Sequence, residues 1–175
     1  MTDHDKHPLT DAYYHMLERV YERLLADETR DSAAPKFEEA VSEARRHAIA
    51  QGELDREQAV KVGDYLKRDV EDFAMMMLES ADRARARIEQ DLSELERELL
   101  GKLLKIADQT TVELNAIREQ ARQRPPHDWQ AGEITSAGML ECRHCGHANR
   151  HPRTGPITRC PHCDGRHFRR GKSVH

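Results

Sequence analysis

Aromatic side chains are scarce in this 175-residue chain, at 5% against 34% charged residues. That leaves little material for a thick globular core and suits long, solvent-laced helices. It also argues against the aromatic platform that proteins use to stack single-stranded nucleic acid. Long apolar runs are missing too. The longest, Phe73 to Leu78, falls far short of the roughly 20 residues that cross a bilayer, so no membrane span is expected. Met1 to Thr10 is polar, with no apolar stretch of signal-peptide length behind it, so secretion is not expected either. There is no phosphate-binding glycine loop and no nucleophile motif. Paired acids such as Glu71 and Asp72 have no pocket-forming surroundings and read as solvated helix faces. The chain is therefore expected not to be an enzyme and to take no small-molecule substrate.

Cysteine is absent from the first 141 residues, and all four cysteines then fall within 22. In a chain without an export signal, such a cluster reads as metal binding rather than disulfides, in a bacterial-type reducing cytosol. The pattern is Cys142-Arg-His-Cys145-Gly, then Cys160-Pro-His-Cys163-Asp-Gly, with fourteen residues between the pairs. Each pair chelates through its own tight turn, and Zn²⁺ accepts four thiolates tetrahedrally at about 2.3 Å. One structural zinc on Cys142, Cys145, Cys160 and Cys163 is the expectation. With all four positions filled by protein, no site is left for water or substrate. So small a module also needs a staple to fold.

Neighbouring histidines His144, His147, His151, His162 and His167 offer alternative ligands, but most of them read as surface residues. A rubredoxin-like iron site uses similar knuckles, though in aromatic-rich surroundings that Phe168 alone does not provide. A redox C-x-x-C would need a βαβ context that is absent here. Arg143, Arg159 and Arg166 are placed to offset the charge of the metal–thiolate group.

The net charge of −4 hides a division. Residues 139–175 hold eight Lys/Arg against Glu141 and Asp164, a balance of +6, so the rest carries −10. A basic module on an acidic body implies either an anionic partner or attraction between the two parts. Arg143, Arg150, Arg153, Arg159, Arg166, Arg169, Arg170 and Lys172 are the candidate contacts to an anionic partner, nucleic acid included. An acidic body would repel a polyanion.

The rest of the chain reads as helix. Tyr13, Leu17, Val20, Tyr21, Leu24 and Leu25 recur at helical spacing over residues 9–28, with Thr10 or Asp11 as N-cap. Phe37, Ala40, Val41, Ala44 and Ala48 form a second stripe that ends at Gly52. Asp55 with Gln58 forms a capping box that opens a proline-free span reaching Arg124, where Pro125 and Pro126 stop any helix. Val62, Leu66, Phe73 and Met77 mark one face of that span. Ile88, Leu92, Leu95, Leu99, Leu103 and Ile106 mark another, close to a heptad seam. Unbroken, the span would reach about 100 Å. At least one break is expected, at Thr110 with Glu113 or within Ser80 to Arg87. The methionines Met75, Met76 and Met77 with Leu78 read as core, or as a partner-binding patch. The expected fold is mainly α: an extended helical hairpin or coiled-coil-like body over 1–124, a linker over 125–133, and a small β zinc ribbon over 134–175. Packing back as a hairpin or pairing with a second copy would each bury the Leu stripe, and a protein partner or self-association is expected.

The whole chain resembles the bacterial zinc ribbon-containing proteins typified by YbeL. The likeness rests on Tyr13-Tyr14, Gly52-Glu53-Leu54, Asp69 to Ala74, Gly132-Glu133, both cysteine pairs and Phe168-Arg169-Arg170. It implies an N-terminal helical region, a C-terminal ribbon and a cytoplasmic location, and supplies no substrate. The chain departs from that pattern with Asp164 where glycine is favoured, and with a longer, more basic tail.

Overall fold

A computed structural model describes residues 7–25, 37–79, 93–109 and 128–171. Within them the chain forms helices α1 (Pro8–Leu25), α2 (Phe37–Ala50), α3 (Arg56–Glu79) and α4 (Glu94–Gln109). Six short strands follow: β1 (Trp129–Gln130), β2 (Ile134–Thr135), β3 (Gly138–Cys142), β4 (Ala148–His151), β5 (Gly155–Pro156) and β6 (His167–Arg170).

Local chemistry sets the helix ends. α1 begins at Pro8, ahead of the expected cap at Thr10 or Asp11, because proline is pre-organised for the first helical position. The carbonyl of His7 accepts from the N–H of Thr10 at 2.8 Å. α2 closes with Gly52 in the left-handed region at φ 69°, while the N–H of Glu53 donates to the carbonyl of Ala48 at 3.0 Å, the pattern of a Schellman cap. α3 opens on the predicted capping box. The N–H of Gln58 donates to Asp55 Oδ1 at 2.8 Å, and the N–H of Asp55 to Gln58 Oε1 at 3.1 Å. α4 starts after Ser93, whose Oγ accepts from the N–H of Glu96 at 3.3 Å. The predicted long helix is therefore interrupted at Ser93, just before Glu94. Both the Thr110 and Glu113 pair and the Ser80 to Arg87 patch lie outside the described residues.

The four described helices of the body share one core. Phe37, Ala40, Val41, Ala44 and Ala48 are all buried, as the α2 stripe predicts. They meet Tyr13, Met16, Leu17 and Val20 of α1, Val62, Leu66, Val70 and Phe73 of α3, and Leu99, Leu100, Leu103 and Ile106 of α4. Leu99, Leu103 and Ile106 of the heptad-like run are thus buried inside this chain, while Leu95 stays 58% exposed. The stripe on α4 is wider than a heptad seam because Leu100 and Ala107 are buried beside it. Met75 is exposed rather than core. The side chains of Met76, Met77 and Leu78, and Ile88 and Leu92 altogether, lie outside the described residues.

The strands form a four-stranded antiparallel sheet in the order β1-β6-β3-β4 and a separate pair, β2 with β5. β1 lies within the stretch read as linker. Its Trp129 pairs in register with Phe168, and two residues are too few to show a period in sequence. The ribbon's own core is small: Trp129, Leu140, Cys142, Ile157, Cys160 and Phe168. Ile134 and Ala137 belong instead to the helical core, so the two parts are packed together.

Candidate metal centre

Two knuckles of the same construction face each other. In the first, the N–H of Gly146 returns to the carbonyl of Cys142 at 2.9 Å. In the second, the N–H of Asp164 returns to the carbonyl of Cys160 at 2.8 Å. Both turns need a left-handed residue after the second cysteine, Gly146 at φ 73° and Asp164 at φ 58°. Asp164 thus adopts the conformation that glycine would take, as aspartate can.

Cys142, Cys145, Cys160 and Cys163 bring their four sulfurs within 4.8 Å of one another. Cys142 Sγ and Cys163 Sγ stand 3.6 Å apart, and Cys145 Sγ and Cys160 Sγ 3.7 Å. A disulfide needs about 2.05 Å, and all four cysteines are free. A tetrahedron with metal–sulfur bonds of about 2.3 Å has edges of about 3.8 Å, so the donor set fits one structural Zn²⁺. Gly165 is part of this cradle: a Cβ there would lie 3.0 Å from Cys142 Sγ and 3.1 Å from Cys163 Sγ.

The titrations of Cys160 and Cys163 influence each other. Burial and the neighbouring sulfurs push Cys163 up to about 12. Burial also raises Cys160, but the N–H groups of His162 and Cys163, with the Cys145 and Cys163 thiols, outweigh it and bring it down to about 6. A bound cation removes that mutual repulsion, since thiolates are the ligating form. His144, His147, His162 and His167 are exposed and stand outside the cluster, with the His147 and His162 rings stacked at 5.4 Å.

The candidate anion contacts divide. Arg143 pairs with Asp128 at 3.1 Å, Arg159 with Asp164 at 2.6 Å, and Arg169 with Glu141. Arg143 and Arg159 thus turn to carboxylates; Asn149 Nδ2 is a side-chain donor near a sulfur, 3.9 Å from Cys160 Sγ. Arg150, Arg153 and Arg166 are exposed, and Lys172 lies outside the described residues. Arg170 is no surface contact. It is buried against α3, its Nη2 2.5 Å from Asp69 Oδ1 and its Nε 2.9 Å from Asp72 Oδ2. Burial opposes its charge, but Asp69 and Asp72 hold its pKa above the usual value.

Asp69, fully buried, is the centre of a network joining the two parts. It also accepts from Tyr13 Oη at 2.6 Å, Thr135 Oγ1 at 2.8 Å and the N–H of Ser136 at 2.8 Å. Burial and the Asp69 charge push the Tyr13 hydroxyl well up. A second node is Glu96, which accepts from Tyr14 Oη at 2.8 Å, the N–H of Thr154 at 2.8 Å and Thr154 Oγ1 at 2.7 Å. A third is Arg68, 3.0 Å from Glu133 and stacked 4.5 Å from the Trp129 ring centroid.

These residues escape a sequence reading that treats acids on helices as solvated. A signal does exist. Asp69 stands three residues after Leu66 and four before Phe73, and Glu96 three before Leu99 and seven before Leu103, so both acids occupy the apolar phase of their helices. Residues from four of the segments that carry the resemblance, Tyr13-Tyr14, Asp69 to Ala74, Gly132-Glu133 and Phe168 to Arg170, converge at this junction.

Among the described residues no helix is long and apolar enough to cross a membrane. No curated protein and no solved structure matches the chain. A family profile described as "Zinc-ribbon containing domain" matches residues 25–172, covering most of the helical body and both cysteine pairs, and the chain belongs to that zinc-ribbon family.

Proposed function

We propose that the protein is a non-enzymatic adaptor of a reducing cytosol. Its helical body serves self-association or protein docking, and its zinc-stapled ribbon holds a rigid basic edge toward a macromolecular partner. The observation that carries this reading is the closed set of four sulfurs. Four cysteines supply every ligand of a tetrahedral ion, which makes the metal a staple rather than a reaction centre. Free thiolates suit a reducing compartment. A coiled-coil pairing with a second copy would draw on exposed Leu95 rather than on the buried part of the α4 stripe. Light scattering on the purified chain, with pull-downs from its native cell, tests the proposal. A self-associated or partner-bound chain is expected, and a monomer that retains no macromolecule refutes it.

Arg153 and Arg166 support a second reading. Both are exposed, without an ion pair among the described residues, and suited to phosphate contacts. Binding to DNA or RNA through them would weaken steeply as salt is added. Affinity insensitive to salt, or unchanged in an R153E/R166E variant, removes that reading. Four of the other candidates, Arg143, Arg159, Arg169 and Arg170, already face acids of the same chain, which favours the protein partner.

A further inference from the structure

One row of side chains runs from the metal ligands to the helices. Cys142 on β3 lies in register with Phe168 on β6, and Phe168 with Trp129 on β1. The row crosses two strand spacings, about 10 Å. Its three members share the ribbon's core with Cys160. At its far end two guanidinium groups lie over the Trp129 ring, Arg68 of α3 at 4.5 Å from the centroid and Arg170 of β6 at 5.0 Å. Arg170 follows Phe168 by two residues and so shares its face of the strand. One four-residue strand therefore backs a zinc ligand and drives a buried cation into α3.

Neither end is self-sufficient. The ribbon's core of six buried residues is too small to order the strands without a staple. Burying Arg170 and Asp69 repays their desolvation only when their geometry is complete, and β6 supplies that geometry.

We propose that zinc loading of the four cysteines and closure of the Arg170 clasp on α3 form one coupled equilibrium. Zinc on Cys142, Cys145, Cys160 and Cys163 keeps the ribbon seated, and the seated clasp tightens zinc binding by the same factor, as linkage requires. In the metal-free chain the ribbon unseats and uncovers Asp69, Asp72 and Glu96, so metal state governs access to an acidic face of the helices. The coupling holds whichever macromolecule the adaptor meets, because it involves only this chain's residues.

Two measurements on the full chain test it. A chelator strips zinc from the parent while Trp129, its single tryptophan, reports on its two guanidinium contacts and amide hydrogen exchange reports on α3. Emission should shift to the red, and exchange at Leu66 to Phe73 should quicken on the order of tenfold while helical circular dichroism is largely kept. In Asp69→Asn and Asp72→Asn chains, with every cysteine intact, competition against a chromophoric chelator should show zinc held on the order of tenfold more weakly. Asp72, with its side chain 15% exposed at the edge of the cluster, gives the milder variant and carries the test if Asp69→Asn does not fold. Exchange in α3 indifferent to zinc, or zinc affinity within about twofold of the parent in every variant that folds, overturns the coupling.

Discussion

Arg170 and Asp69 lie 101 residues apart in the chain and 2.5 Å apart in the fold, where they join ribbon to body through a largely buried charge pair. Truncating one partner of such a pair leaves a buried charge uncompensated and costs about 3–5 kcal/mol. Asp69→Ala is expected to lower unfolding free energy by that order in urea titrations. Exchanging both partners, as in Asp69→Leu with Arg170→Met, should cost less than Asp69→Ala alone, because no unpaired charge remains. A double variant weaker than the single one would show that the network acts through its shape rather than its charges.

Thr154 reaches Glu96 with both its N–H and its hydroxyl, so the turn between the knuckles is held by α4. Thr154→Val keeps the volume and the N–H bond but removes the hydroxyl. Leaving a buried carboxylate oxygen short of a donor costs about 1–3 kcal/mol. Tyr14→Phe removes another donor from the same carboxylate. The two losses should be non-additive in a double-mutant cycle; strict additivity would mean the donors act independently.

Acid should weaken the fold through His151. Burial first, and the positive charge of Arg170 second, lower its pKa to about 4, and its Nε2 is buried without a partner. Unfolded histidine titrates near 6.5. Because the folded value is depressed, protonation favours the unfolded chain. The contribution of neutral His151 is complete above about pH 6.5 and is lost as pH falls toward 4, a change of about 3 kcal/mol. Thiolates also release metal in acid, so the informative quantity is the difference between the parent and His151→Gln across that window. A constant difference from pH 7 to 4 would mean His151 does not titrate with folding.

The metal site is legible in sequence because chelation fixes ligand spacing locally: Cys142 with Cys145 and Cys160 with Cys163 each close a turn within one stretch of chain. The faces of α1 and α2 are legible for the same kind of reason, since the period of 3.6 is a local property. The capping residues of α3, Asp55 and Gln58, lie three positions apart and can be read directly. The junction is different. Asp69, Glu96, Thr154 and Arg170 are polar residues spread over the chain, and each by itself looks like solvated surface. Only tertiary packing makes them interior. The basic segment 139–175 shows the same limit, because its charge suggests an external anion while Arg170 is satisfied by Asp69 and Asp72.

Gly165 should be intolerant of a side chain through the metal rather than through the backbone. An added Cβ would crowd Cys142 Sγ and Cys163 Sγ at 3.0 and 3.1 Å, and sulfurs held on zinc cannot give way without distorting the tetrahedron. Gly165→Ala is expected to weaken zinc binding by about tenfold or more. Gly52→Ala makes the contrast. Its Cβ would meet open space at φ +69°, so it should cost the helical body about 1 kcal/mol in backbone strain with zinc affinity unchanged. Equal zinc affinities for Gly165→Ala and the parent would place the sulfurs elsewhere in the loaded protein.

Metal analysis of the natively purified chain bears on the centre as a whole. One zinc per chain is expected. Cys160→Ser should abolish stoichiometric binding, because three thiolates and a hydroxyl make a poor zinc site. Structural zinc supplies on the order of 10–16 kcal/mol of folding free energy in small modules, far more than the ribbon's six-residue core can replace. The variant should therefore lose the β1-β6-β3-β4 sheet, seen as collapse of its amide dispersion in NMR spectra. Helices α1 to α3, with Phe37, Val41, Val62 and Phe73 buried among themselves, should keep most of their circular dichroism. Iron in the purified protein, or a Cys160→Ser chain with an ordered sheet and no metal, would show that the four sulfurs are not a zinc staple.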